Sequence, residues 1–242
     1  DLVTGVLSTC IADYNVAANA QMIKIPETSK PIDACLGEPM MCVANIVRAV
    51  EPKMGDRVAV IGCGFMGLMV IAGLKSRALG DIVAIDLDEK RLEMAVQYGA
   101  TKTINPKNVD VEDVSFELTH GRMYDCIVEI TGSLRGLQTA LSVAKISGRG
   151  KILAPSVYSK NETWKEEMAY NMMYRSPIIH VVHPYYTNEY MHTLEIGVEA
   201  YVKGVFPTEE LITHRIPFER VDEGFRLLDT NPPGYIKGII TF

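Results

Sequence analysis

Val58-Ala-Val-Ile-Gly62-Cys-Gly64-Phe-Met-Gly67 is the stretch that decides the fold. A short β-branched run enters Gly-x-Gly-x-x-Gly directly, and an apolar helical pattern follows without a break. Asp81-Ile-Val-Ala-Ile-Asp86 then reads as a second strand, ending in an acid 19 positions beyond Gly67. Strand, glycine triplet, helix, strand and acid in that order point to a dinucleotide site in a βαβ unit. The plainer alternative is a glycine turn in some other βαβ unit, with Asp86 merely closing a strand. It requires these separate features to coincide.

Each residue of the motif has a physical task. Gly62 permits the tight turn off the strand, Gly64 lets a pyrophosphate approach the backbone, and Gly67 lets the helix pack close to the strand. The free N–H groups and the positive dipole end of that helix suit phosphates. Asp86 would accept hydrogen bonds from both adenine-ribose hydroxyls and repel a 2′-phosphate, which favours NAD over NADP.

Outward from this unit, strand and helix alternate. Strands are expected over 57–61, 82–86, 102–104, 124–129, 149–154 and 178–183, and helices over 65–79, 88–98, 111–119, 133–145 and 186–203. Asp88 is a plausible cap for the helix at 88–98, which would pack through Leu92, Val96 and Met94 or Ala95. Strict alternation implies α/β architecture, a Rossmann doubly wound parallel sheet with right-handed crossovers. Before it, Tyr14–Ala17 and Met22–Ile25 read as short strands and 39–50 as a helix. After it come a helix over about 218–229 and a final strand from Tyr235 to Phe242. These flanking elements break the alternation and look like pieces of a second domain.

With 242 residues, 48% of them hydrophobic, the chain can bury a full core. Its net charge of −6 argues against a nucleic-acid partner. No apolar run reaches membrane-spanning length. The five cysteines, Cys10, Cys35, Cys42, Cys63 and Cys126, are scattered and form no Cys-x-x-Cys pair. Reduced thiols in a cytoplasmic protein are the simplest account. The first residue is Asp1 rather than Met, so translation is expected to begin elsewhere.

The chain resembles the medium-chain dehydrogenase/reductase superfamily, the zinc-type alcohol and polyol dehydrogenases. Four stretches carry the likeness in order: Ile11 to Pro26, Glu51-Pro-Lys-Met-Gly-Asp-Arg-Val-Ala-Val-Ile-Gly62, Asp86-Leu-Asp-Glu-Lys-Arg-Leu92 followed by Tyr98-Gly-Ala100, and Leu211-Ile-Thr-His-Arg-Ile-Pro-Phe218. The resemblance implies a GroES-like β domain around the cofactor domain, of which residues 1–36 would be a remnant. Residues 37–206 would form the NAD-binding Rossmann domain, and 207–242 would return to the catalytic domain. It implies hydride transfer between nicotinamide and an alcohol, with a polyol, sugar or other secondary alcohol favoured by Gly37-Glu38-Pro39.

The same resemblance assigns further positions. Met66 would lie against the nicotinamide, Arg91 near the adenine ribose, and Lys237 at the pyrophosphate. Thr131 and Gly132 would contact cofactor at the carboxyl end of their strand, where open parallel sheets bind ligands. Ordinary readings compete: helix filler for Met66, a solvated charge for Arg91, a surface lysine for Lys237, a strand-to-helix turn for Thr131-Gly132.

Glu38 matches a family position beside the catalytic zinc. One carboxylate cannot hold a zinc that needs about four donors, and the sequence has neither a Gly-His-Glu motif nor a structural-zinc cysteine cluster. No metal site is therefore expected within this chain. Glu38 either serves a metal whose other ligands lie upstream or is a helix N-terminal carboxylate stabilised by the dipole. His183, before Pro184-Tyr185-Tyr186, would fall near the nicotinamide. It is a candidate proton relay, with a hydrogen-bonded structural histidine the favoured reading. Its spacing of three from His180 would put the two on opposite faces of one strand. The resemblance also implies a homodimer joined through the edge strand near 178–183, whose Ile178, Ile179, Val181 and Val182 suit a buried, paired edge. A zinc-free NAD-binding module, or a reduced enzyme lacking the catalytic domain, is the competing account.

Overall fold

Two short strands, β1 (Val3–Gly5) and β2 (Met22–Lys24), pair antiparallel at the start of the chain, and a first helix, α1 (Gly37–Val50), follows. Strand and helix then alternate through β3 (Arg57–Ile61), α2 (Phe65–Leu74), β4 (Asp81–Ile85), α3 (Glu89–Tyr98), β5 (Lys102–Ile104), α4 (Val111–Leu118), β6 (Cys126–Glu129), α5 (Leu134–Val143), β7 (Lys151–Leu153), α6 (Glu166–Arg175) and β8 (Ile178–His180). The chain continues through α7 (Tyr190–Val202), α8 (Thr208–Leu211), β9 (Ile212–Pro217), α9 (Val221–Thr230) and β10 (Lys237–Thr241). This computed structural model describes all residues except 8–11, 13, 19–20, 147–148, 160 and 185–188. Cys10, Tyr185 and Tyr186 lie outside the described residues, as do parts of the Ile11–Pro26 stretch.

The chain folds as two compact units. Asn45–His183 holds a six-stranded parallel sheet in the order β5-β4-β3-β6-β7-β8. The order reverses between β3 and β6, which makes this a doubly wound Rossmann sheet with a crevice outside the carboxyl ends of those strands. Strands β3, β4 and β6 are buried on both faces because helices cover both sides. Ala59, Ile61, Val83, Ile85, Ile127 and Ile152 pack with Leu137, Ala140 and Leu141 of α5 on one side. Helix α2 is buried nearly all round, as a helix over the middle of a sheet can be. Asp88 caps α3, accepting the N–H groups of Lys90 and Arg91.

The other unit comprises Asp1–Ala44 and Pro184–Phe242. Here β9 and β10 pair in parallel with α9 as their crossover. Helix α7 buries Leu194, Val198 and Tyr201, and Gly197 approaches α1 so closely that a Cβ would lie 2.7 Å from the Met40 carbonyl.

Several expectations need correction. Tyr14–Ala17 carries no strand: Tyr14 and Val16 stand almost fully in solvent, so their alternation has no surface to bury against. Helix α2 stops at Leu74 rather than 79, because the chain turns through Ala78 in the left-handed region. On α3, Leu92 and Ala95 are buried while Val96 is exposed. The edge strand β8 ends at His180, so the argument that His180 and His183 face opposite sides of one strand does not reach His183. Ile178, Ile179 and Val181 of that edge are exposed, and only Val182 is buried. Helix α6 and strand β9 were not anticipated. Among the described residues, no helix is long and apolar enough to cross a membrane.

Candidate functional site

Strand β3 delivers Gly62 into a turn with φ +100°, a conformation that L side chains rarely adopt. The Gly62 N–H donates to the Ile85 carbonyl at 2.8 Å, which ties the turn to the end of β4. The three glycines then differ sharply in what surrounds them. A Cβ at Gly67 would lie 1.9 Å from the Gly62 carbonyl oxygen, so α2 can start this close to the turn only without one. A Cβ at Gly64 would meet nothing within 4 Å. The protein itself does not need glycine there; the open space does. Gly64 is also the N-cap of α2, with no side-chain cap and no acid in the first helical turn. An uncapped helix start facing open room suits a pyrophosphate.

Asp86 follows β4 beside this turn. One carboxylate oxygen accepts the Cys63 N–H at 2.6 Å and the other accepts the Asp88 N–H at 2.9 Å. Each oxygen keeps acceptor capacity for a further donor. Burial and the Asp86 charge push the Cys63 thiol up, while the Arg91 charge opposes them, so Asp86 and Arg91 both act on the centre of the glycine loop. Met66, on the first turn of α2, is partly exposed.

Thr131 and Gly132 follow β6 on the other side of the turn. The Ile130 N–H donates to the Ile61 carbonyl, and Thr131 Cγ2 lies 3.0 Å from where a Gly62 Cβ would stand. Gly132 has φ +74°. The structure therefore brings Gly62, Gly64, Met66, Gly67, Asp86, Arg91, Thr131 and Gly132 to the crevice where the strand order reverses. Sequence reasoning missed two groups at this place, the buried Glu129 that ends β6 and Tyr158, whose hydroxyl donates to it. His183 is exposed and lies past the end of β8, two strands out from β6.

Glu38 and Lys237 belong to the other unit. Glu38 is an acid in the first turn of α1, where the helix dipole favours it. Its carboxylate accepts a hydrogen bond from the Cys42 thiol at 3.2 Å. Burial and the Glu38 charge push that thiol up. Lys237, in the first position of β10, is lowered by burial and raised by the charge of Glu38. Among the described residues, no three His, Cys, Asp or Glu side chains are placed to hold a metal. Glu38 and Cys42 supply two donors where zinc needs about four, so the residues present do not fit a zinc ion.

The family model described as zinc-binding dehydrogenase matches residues 66–205. The chain belongs to this family. Among its relatives, alcohol dehydrogenase 1 of Pisum sativum is 29% identical over 224 residues, covering 90% of this chain and 57% of that protein. L-threonine 3-dehydrogenase of Bacillus licheniformis is 29% identical over 223 residues, covering 90% of this chain and 61% of the relative. The crystal structure of 2R,3R-butanediol dehydrogenase from Bacillus subtilis superposes with a TM-score of 0.72 at 26% identity, covering 92% of this chain and 61% of that one. The chain thus spans about three fifths of the length of the relatives it matches.

Proposed function

We propose that this chain binds NAD at the crevice formed by Gly62, Gly64, Gly67, Asp86, Arg91, Thr131 and Gly132, and serves an NAD-dependent dehydrogenase acting on an alcohol. The carrying observation is the contrast between Gly64, which faces open space, and Gly67, which faces backbone. Nicotinamide supplies hydride chemistry when bound. The chain's own task is to hold it: α2 presents its uncapped start to the pyrophosphate, Asp86 accepts from the ribose hydroxyls, and Met66 lies toward the nicotinamide. A polyol, sugar or other secondary alcohol is the proposed substrate class, supported by Glu38-Pro39 and by the threonine and butanediol dehydrogenases among the relatives.

The same proposal takes 1–36 and 207–242 as parts of a catalytic domain and 37–206 as the cofactor domain. It places Lys237 at the pyrophosphate and treats Glu38 and His183 as candidate catalytic groups. It also includes a homodimer joined through β8, supported by exposed Ile178 and Ile179 on an open sheet edge. Buried, free Cys35, Cys63 and Cys126 suit a reducing, cytoplasmic compartment. The chain's acidity disfavours nucleic acid as a partner.

A second reading, a zinc-free NAD-binding module, is favoured by the two-donor set at Glu38 and Cys42. Titration with NADH and NADPH, followed by nicotinamide fluorescence, tests both readings. Saturable binding of NADH with weaker NADPH binding is expected, and absence of NADH binding would overturn them. Alcohol-dependent NAD reduction, with and without added zinc, then separates dehydrogenase from module.

A further inference from the structure

Strand β6 ends in a carboxylate with no access to solvent. Glu129 is fully buried, and keeping a carboxylate there is costly unless donors surround it. Three do. One oxygen accepts the Thr131 N–H at 2.9 Å and the Thr131 hydroxyl at 2.5 Å. The other accepts the Tyr158 hydroxyl. Gly136 makes room for this knot, since a Cβ there would lie 2.4 Å from the Glu129 carboxylate and 2.3 Å from the Thr131 hydroxyl.

The knot fixes the wall of the glycine turn. Thr131 Cγ2 and N stand 3.0 and 3.2 Å from where a Gly62 Cβ would be, so Thr131 cannot rotate without moving against the turn. The Thr131 hydroxyl also accepts the Ser133 N–H at 3.1 Å, and Ser133 caps α5. Tyr158 packs against the sheet's core cluster. Burial and the Glu129 charge push its hydroxyl up, which keeps it a donor at neutral pH.

We infer that Glu129 and Tyr158 are positioning residues for the dinucleotide: Tyr158 orients Glu129, Glu129 orients Thr131, and Thr131 sets the shape of the Gly62 turn. This rests on the dinucleotide reading above. Neither Glu129 nor Tyr158 needs to touch cofactor.

The test uses Tyr158→Phe, Thr131→Val and Thr131→Ser, with NADH affinity and thermal unfolding measured on the same preparations. Tyr158→Phe and Thr131→Val are each expected to raise the NADH Kd by about 5- to 50-fold, the size of effect from orphaning a buried acceptor. Thr131→Ser keeps the hydroxyl and is expected to bind more tightly than Thr131→Val. The Tyr158→Phe, Thr131→Val double variant should cost less than the product of the two singles, because both act through one carboxylate. A role confined to stability predicts a lowered Tm with unchanged Kd, and that result overturns the inference alone. If Tyr158→Phe does not fold, Glu129→Gln decides it, with the same rise in Kd expected and an unchanged Kd overturning the inference. A parent chain that does not bind NADH overturns both the inference and the reading on which it rests.

Discussion

The Asp86 carboxylate accepts the backbone N–H of Cys63 at 2.6 Å, so the acid after β4 also braces the middle of the glycine loop. Asp86 supports the loop, and under the proposed NAD reading it would also recognise the ribose. Asp86→Asn replaces one acceptor oxygen with a donor that faces a backbone N–H. NADH affinity is expected to fall at least tenfold with no gain in NADPH affinity, in line with about 1–3 kcal/mol for a lost charged acceptor. Parallel fluorescence titrations with the two cofactors check this. A variant that instead gains NADPH binding would show that Asp86 discriminates by charge alone.

Gly67→Ala and Gly64→Ala should separate stability from binding. The first places a methyl group 1.9 Å from the Gly62 carbonyl and is expected to cost about 2 kcal/mol or more. The second fills open space at a φ of −74° and should change stability by less than about 1 kcal/mol. Its effect should appear in NADH affinity, as a loss of tenfold or more. Urea unfolding and cofactor titration of both variants give the comparison.

Stability is expected to decline in the alkaline range. Burial raises the thiol of Cys35 to about 11 and that of Cys126 to about 12, against 9.0 for a free thiol. The unfolded chain then releases these protons before the folded one does. Their contribution is complete below pH 9 and is lost as pH rises through 9 toward 12. Each such group gives a slope of about 1.4 kcal/mol per pH unit within that window. Denaturant midpoints at pH 8, 9.5 and 10.5 follow it, and a Cys126→Ala variant should show a shallower decline.

The open edge at β8 predicts an oligomeric state that responds to charge. Ile179→Lys puts a cation on an exposed, apolar edge position. Light scattering after size exclusion should show a dimer for the parent and a monomer for the variant. A monomeric parent removes the proposed dimer.

The sheet was legible because its signal is local and redundant. Strands β3 and β4 and the Gly62-x-Gly64 turn lie within one short stretch, and each carries its own marker. Helix α6 was not legible, since only Met168 and Arg175 of its ten residues are buried, and Tyr170, Met172, Met173 and Tyr174 stand exposed on its other faces. Strand β9 could have been found, because Ile212, His214 and Ile216 alternate with exposed Thr213, Arg215 and Pro217. At the candidate site, Gly62 and Gly67 are visible in the sequence because backbone geometry demands glycine there, while Gly64 and Asp86 are visible because they fall at set spacings from β3 and β4. Glu129 and Tyr158 are not, because 28 residues and a helix separate a carboxylate from the hydroxyl that satisfies it.

The near-contact between Gly67 and the Gly62 carbonyl bears on kinetics as well as shape. A turn held by its own backbone against the start of a helix has little freedom to collapse or open. Its donors are already aimed when a ligand arrives, so little ordering entropy remains to be spent at binding. Cofactor association should accordingly follow a single second-order phase, with differences among variants expressed in how long the complex lasts.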